Sequence, residues 1–185
     1  MSIIRGIVRI ARFRVEGLAE FDVSRNGFLN SLAPLVAFPL VGSLLEFSSG
    51  NVIEALGDLL ASVVALLTPL IISEYLANRW QAGERWLGYA VATNWTQWIV
   101  PIAFGASFSA LWLLRQMGIP TGQGGVLGSV LTLMVYGVAL HWFLARRALG
   151  LSRVQATLLV VLCDLATLAL VMGPRLLMVH LNPAG

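Results

Sequence analysis

The sequence predicts an all-α polytopic membrane protein: five transmembrane helices preceded by a short amphipathic N-terminal helix. Three observations lead there. Of 185 residues, 58% are hydrophobic and only 11% charged, with a mean hydropathy of +0.83, which lies well outside an ordinary soluble domain. The long apolar runs are apolar on every side, so a soluble fold would have no polar helix face to turn to water. The basic residues flank these runs and form no separate patch, so a pI near 9.8 reads as membrane topology and gives no ground for nucleic-acid binding.

Residues 1–26 form a basic segment. On a helix Arg5, Arg9, Arg12 and Glu16 share one face, while Ile4, Ile7, Ala11, Val15 and Leu18 share another. That is the pattern of a helix lying on an anionic cytoplasmic leaflet, with Arg5, Arg9 and Arg12 at the lipid headgroups. An ordinary positive flank has the same composition, and both readings stand. Arginines interrupt the apolar residues, so the segment does not read as a cleavable signal peptide. Ser24 is placed to cap the first spanning helix.

Five runs approach or exceed the length needed to cross about 30 Å of hydrocarbon at about 1.5 Å per residue. They fall near 27–47, 56–76, 86–114, 125–145 and 154–174, giving one transmembrane domain over 27–174 and a short outer tail at 175–185. The first holds Pro34 and Pro39, each lacking a backbone donor, so a kink is expected. Packed neighbours absorb such breaks in some helices, and in others the breaks line a cavity. The third run is charge-free from Trp86 to Leu114, and its excess length predicts tilt or an interfacial turn. Gly118 to Gly125, with Pro120, reads as a turn. Small-residue stripes at Gly57, Ala61 and Ala65 and at Gly124, Gly128 and Thr132 predict close helix approach, either within the chain or between chains.

A faint repeat at an offset of sixty-eight residues sets Tyr75, Leu76, Ala77, Arg79 and Arg85 against Phe143, Leu144, Ala145, Arg147 and Arg153. Two parallel hairpins would produce it, and so would chance in so restricted an alphabet.

Ten of the twelve basic residues lie on one side: Arg5, Arg9, Arg12, Arg14 and Arg25, then Arg79 and Arg85, then Arg146, Arg147 and Arg153. The opposite side has Arg115 and Arg175, and its first loop carries Glu46, Glu54 and Asp58. The positive-inside rule puts the N-terminus in the cytoplasm and the C-terminus outside. Trp80, Trp86 and Trp142 then belong to the inner interface and Trp112 to the outer one. All twelve basic residues are arginine, as in a GC-rich bacterial genome, which points to an inner membrane.

Asp164 carries the functional question. A carboxylate within a span costs about 2.5–3.5 kcal/mol on insertion scales, so it needs a partner, a proton or a task. Counted from the flanking arginines, Asp164, Asn94, Gln97 and Tyr136 all lie roughly 14–18 Å deep. They predict a polar layer shared by spans three, four and five, with Thr93, Trp95, Thr96 and Trp98 in the same zone. A protonated Asp164 that donates to Asn94, Gln97 or Tyr136 would fix helix register. A hydrated Asp164 that changes charge would relay protons or cations.

His141 is placed near the inner interface beside Trp142, and His180 near the tail; neither has a second ligand at metal spacing, so no metal is expected. Cys163 allows no intrachain disulfide and reads as a buried small hydrophobe. No H-E-x-x-H, G-x-S-x-G or phosphate-binding loop occurs, and Gly105 to Ser109 only half resembles a nucleophile elbow, so neither catalysis nor a cofactor is expected.

The five-span topology, together with Ala148-Leu149-Gly150-Leu151-Ser152-Arg153 before the last span, resembles the Ypt-interacting family of membrane proteins. The resemblance implies the topology and, in eukaryotic members, a link to small GTPases and membrane traffic; it carries over no site residues. The sequence thus predicts a non-catalytic accessory or scaffold subunit with the bilayer, anionic lipids and other membrane proteins, or its own copies, as partners. The alternative is a small proton- or ion-coupled transporter or channel built on Asp164.

Overall fold

The computed structural model describes residues 2–181 except Ser49, Asn51, Pro120 and Thr121. At Phe38, Leu45, Glu46, Ser48, Glu54 and 175–181 it describes the backbone alone. The side chains of Glu46, Glu54, Arg175 and His180, and Pro120 altogether, therefore lie outside the described residues.

Seven α-helices follow one another: α1 Ile3–Ala11, α2 Arg25–Ser48, α3 Val52–Arg79, α4 Gly83–Thr96, α5 Ile99–Gln116, α6 Gln123–Arg147 and α7 Arg153–Leu181. No strand occurs among the described residues. Arg25–Leu44, Ala55–Arg79, Gly83–Gln116, Gln123–Arg147 and Arg153–Pro174 are each long and apolar enough to cross a membrane, so the chain has the architecture of a multi-pass membrane protein. α2 stays helical through Pro34 and Pro39.

The third span is not one helix. Gln97 and Trp98 separate α4 from α5 in mid-span, where the sequence predicts a tilt or an interfacial turn. Pro101 is the physical cause: it has no N–H to give the carbonyl of Gln97 one turn earlier. Thr96 adds to the bend by returning its hydroxyl to the carbonyls of Ala92 and Thr93, at 2.8 and 3.2 Å. The same break counts against the repeat, because α7 runs unbroken through the corresponding stretch.

The N-terminal segment departs from the predicted single amphipathic helix. α1 ends at Ala11, Phe13 takes a positive φ of 54°, and the chain returns through a 3-10 turn at Val15–Glu20. Val15 and Leu18 therefore do not continue the face begun by Ile4 and Ile7. The Glu20 carboxylate closes this unit, accepting from the Arg9 guanidinium at 2.9 Å and the Ser2 N–H at 3.2 Å. Gly6 and Gly17 let the two arms touch, since a Cβ on Gly17 would lie 2.8 Å from the Gly6 carbonyl oxygen. Ile10 and Phe21 are buried in the main core, and Phe13 stands edge-on to both Tyr136 and Phe143 of α6. The unit is thus part of the bundle. Beyond it Ser24 caps α2, its hydroxyl accepting the Gly27 N–H at 3.0 Å.

Packing is concentrated at the arginine-bearing end. α4 is the hub, burying Tyr89, Ala90, Val91, Ala92, Asn94 and Thr96 against α1, α2, α3 and α6. The α6–α7 loop is tied there by arginines: Arg146 donates to the Leu151 carbonyl at 2.6 Å, and Arg85 reaches the Leu149 carbonyl at 3.4 Å. Toward the other end the helices spread, and α5, resting chiefly on α6, buries no residue. The predicted small-residue stripes fall in this open half. A Cβ on Gly57, Gly124 or Gly128 would meet nothing within 4 Å, and Thr132 is exposed, its hydroxyl bonded to the Gly128 carbonyl. The predicted close approach is therefore not made among the described residues at Gly57 of α3 or at Gly124 and Gly128 of α6. Its nearest counterpart is Gly137, where a Cβ would stand 3.3 Å from Val100 of α5.

Candidate functional site

Three helices bring ionisable groups into a row that ends at mid-span on Asp164. Asp164 of α7 stands with Oδ1 3.5 Å from Nδ1 of His141 on α6. The other ring nitrogen, Nε2, lies 2.7 Å from the hydroxyl of Tyr89 on α4. When Nδ1 carries its hydrogen toward the carboxylate, Nε2 is the acceptor for the Tyr89 O–H, so one tautomer satisfies both contacts. The row grades in exposure: Tyr89 is 2% accessible, the His141 side chain 16% and that of Asp164 49%. It runs from the core of the bundle to an open cleft.

That cleft has a volume of about 240 Å³. Thr93, Thr96 and Gln97 line it beside His141 and Asp164, and Pro69, Val100, Leu140 and Leu144 form its apolar wall, with Gly137 between. It lies at the break between α4 and α5. There Pro101 leaves the Gln97 carbonyl without its helical donor, so the cleft combines side-chain polarity with backbone polarity. Cys163 is buried behind Asp164 with its thiol 3.8 Å from the Pro69 carbonyl, in the place of a small hydrophobe.

The four residues expected to form one polar layer are divided among three places. Asp164 and Gln97 share the cleft. Asn94 faces α2 instead and is fully buried, with its amide N–H donating to Ser31 Oγ at 2.9 Å while Ser31 donates to the Phe28 carbonyl. Tyr136 points to the N-terminal unit, its hydroxyl donating to the Ala11 carbonyl at 2.7 Å. The cause is angular. On a continuous helix Asn94 and Gln97, three residues apart, would be only about 60° apart and share a face, so the break after Thr96 is what parts them.

Sequence reasoning misses His141 and Tyr89 as members of the site. Its distance to Arg147 places His141 at the interface, yet the side chain reaches Asp164. Tyr89, Thr93 and Thr96 are spaced i, i+4, i+7, one face of a helix, and this signal is present in the sequence. Of the arginines assigned to the lipid surface, Arg5 and Arg12 are exposed, while Glu20 engages Arg9 at 2.9 Å and, more loosely, Arg5 at 3.9 Å. Gly105 to Ser109 is ordinary α5 helix, with the Ser109 hydroxyl returned to the Gly105 carbonyl.

Fold and cleft together define a five-span helical membrane protein with an ionisable row ending at mid-span. Comparison of the chain with protein-family models, curated proteins and solved structures finds no match.

Proposed function

We propose that this protein is a small proton-coupled membrane carrier in which Asp164 takes up and releases the coupling proton. The observation that carries the reading is the Asp164–His141–Tyr89 row ending in a polar cleft at a helix break. Intramembrane acids that face such a space mark proton or ion pathways, and discontinuous helices mark the binding sites of carriers. Asp164 is the proton site, His141 the group that shares its charge, and Tyr89 the group that orients the imidazole. The arginine asymmetry supports an N-terminus in the cytoplasm and a C-terminus outside, and the all-arginine basic set supports a bacterial inner membrane. Arg5 and Arg12 then face the anionic inner leaflet.

The test is reaction with a hydrophobic carbodiimide, which adds across the O–H of a protonated carboxyl group, in purified protein held in lipid nanodiscs. Labelling at Asp164, located by mass spectrometry, should fall as the pH rises. A rate that does not change with pH would leave Asp164 a fixed structural donor and end the carrier reading.

A second reading, a non-catalytic accessory subunit, has its own support in the open half of the bundle, where α5 buries nothing and a Cβ on Gly57, Gly124 or Gly128 would meet no described residue within 4 Å. It also accommodates the likeness to the Ypt-interacting family. Extraction in mild detergent followed by native-size separation distinguishes it: a partner comigrating in fixed ratio supports this reading, and migration as a monomer or homo-oligomer removes it.

A further inference from the structure

We propose that the cleft binds a small organic ammonium ion bearing N–H groups, in exchange for the proton on Asp164; the inference rests on the carrier reading above. Three features of the lining lead to it. The first is charge. Among the described residues Asp164 is the one carboxylate in the lining, which holds no arginine, so an anion would meet only His141. Titratable groups face Asp164 from α4 as Tyr89, from α6 as His141 and from α7 itself as Cys163, while α3 contributes only Pro69 to the lining.

The second is hydrogen bonding. Thr96 directs its hydroxyl hydrogen to the Ala92 carbonyl, which leaves its oxygen as an acceptor. With the Gln97 amide oxygen and the Asp164 carboxylate it matches the three donors of a primary ammonium group. No Phe, Tyr or Trp among the described residues lines the cleft, so the aromatic cage that recognises a quaternary ammonium is missing. The third is size and wall. A volume of about 240 Å³ corresponds to roughly eight waters at about 30 Å³ each, room for an ammonium head with a short aliphatic tail against Val100, Leu140 and Leu144.

The exchange balances in charge. The ammonium ion enters as the Asp164 O–H gives its proton to water, leaving an ammonium–carboxylate pair in place of the neutral acid.

The carbodiimide reaction tests this with n-butylammonium, tetramethylammonium and butanesulfonate as probes on the nanodisc-embedded protein, at a pH where the amine stays protonated and with any Asp164 butylamide counted as labelling. n-Butylammonium should slow labelling of Asp164 about tenfold at about ten times its half-effective concentration, as one-site competition requires. Tetramethylammonium and butanesulfonate should leave the rate unchanged. Thr96→Val should weaken the protection and Thr96→Ser retain it. Equal slowing by the two ammonium ions overturns N–H recognition. Absence of protection with labelling still pH-dependent overturns the substrate inference and leaves the carrier reading standing. Labelling that ignores pH overturns both.

Discussion

At the residue scale the decisive contact is between Tyr89 and His141, because it determines which imidazole nitrogen faces Asp164. If the Tyr89 hydroxyl donates to Nε2 across 2.7 Å, the ring hydrogen belongs on Nδ1, facing the carboxylate 3.5 Å away. Tyr89→Phe removes that donor and little volume. The expected cost is about 0.6–1.7 kcal/mol, the range of hydrogen bonds between membrane helices, read as a change in reversible unfolding in detergent. A merely structural bond would show only that loss. The orienting role predicts more: ¹⁵N spectra of His141 should show a single Nδ1–H tautomer in the parent protein and a mixture in Tyr89→Phe. An unchanged tautomer in the variant would remove Tyr89 from the row.

At the element scale the feature that makes the site is the division of the third span into α4 and α5. Pro101→Ala should restore the missing donor to the Gln97 carbonyl and favour one continuous helix. Hydrogen exchange at the backbone amides of Trp98, Ile99 and Val100 should then slow, and carbodiimide labelling of Asp164 should lose its pH dependence as the cleft narrows. Exchange as fast as in the parent would show that α6 and α7 hold the break without the proline. The elements are largely legible in the sequence, because a span is set by local hydropathy and by the backbone's need to bond internally in lipid. Pro101 is legible too, through the same rule that marks Pro34 and Pro39, but the unbroken charge-free run from Trp86 to Leu114 conceals it. Contacts between helices are not. Depth counting sets Asn94, Gln97, Tyr136 and Asp164 at one level, but level fixes only one coordinate, and rotation about each axis sends Asn94 to Ser31 and Tyr136 to Ala11. The turn after Ala11 is equally hidden, since it depends on Glu20 reaching back to Arg9 and Ser2.

At the scale of the whole molecule the two ends are built differently, and the carrier reading depends on which compartment each one meets. The arginine-bearing end is closed: the N-terminal unit, α4 and the α6–α7 loop bury Ile10, Phe21, Leu144, Leu149 and Leu151 together. The opposite half is spread, with α5 resting on α6 alone among its principal neighbours. A cleft at the junction of a closed half and an open half has access from one side, the arrangement that alternating access requires of one of its states. On the proposed positive-inside orientation the closed end would be cytoplasmic and this state would face outward. The single cysteine permits a direct test. In a Cys163→Ser background, Ser152→Cys in the exposed α6–α7 loop and Gln123→Cys at the exposed start of α6 place one thiol at each end. A membrane-impermeant thiol reagent applied to intact spheroplasts should label the Gln123→Cys protein and leave the Ser152→Cys protein unlabelled until the membrane is opened. The reverse pattern would put the arginine-rich end outside and turn the open half toward the cytoplasm, making the resting state inward-facing and reversing the side from which the Asp164 proton is exchanged.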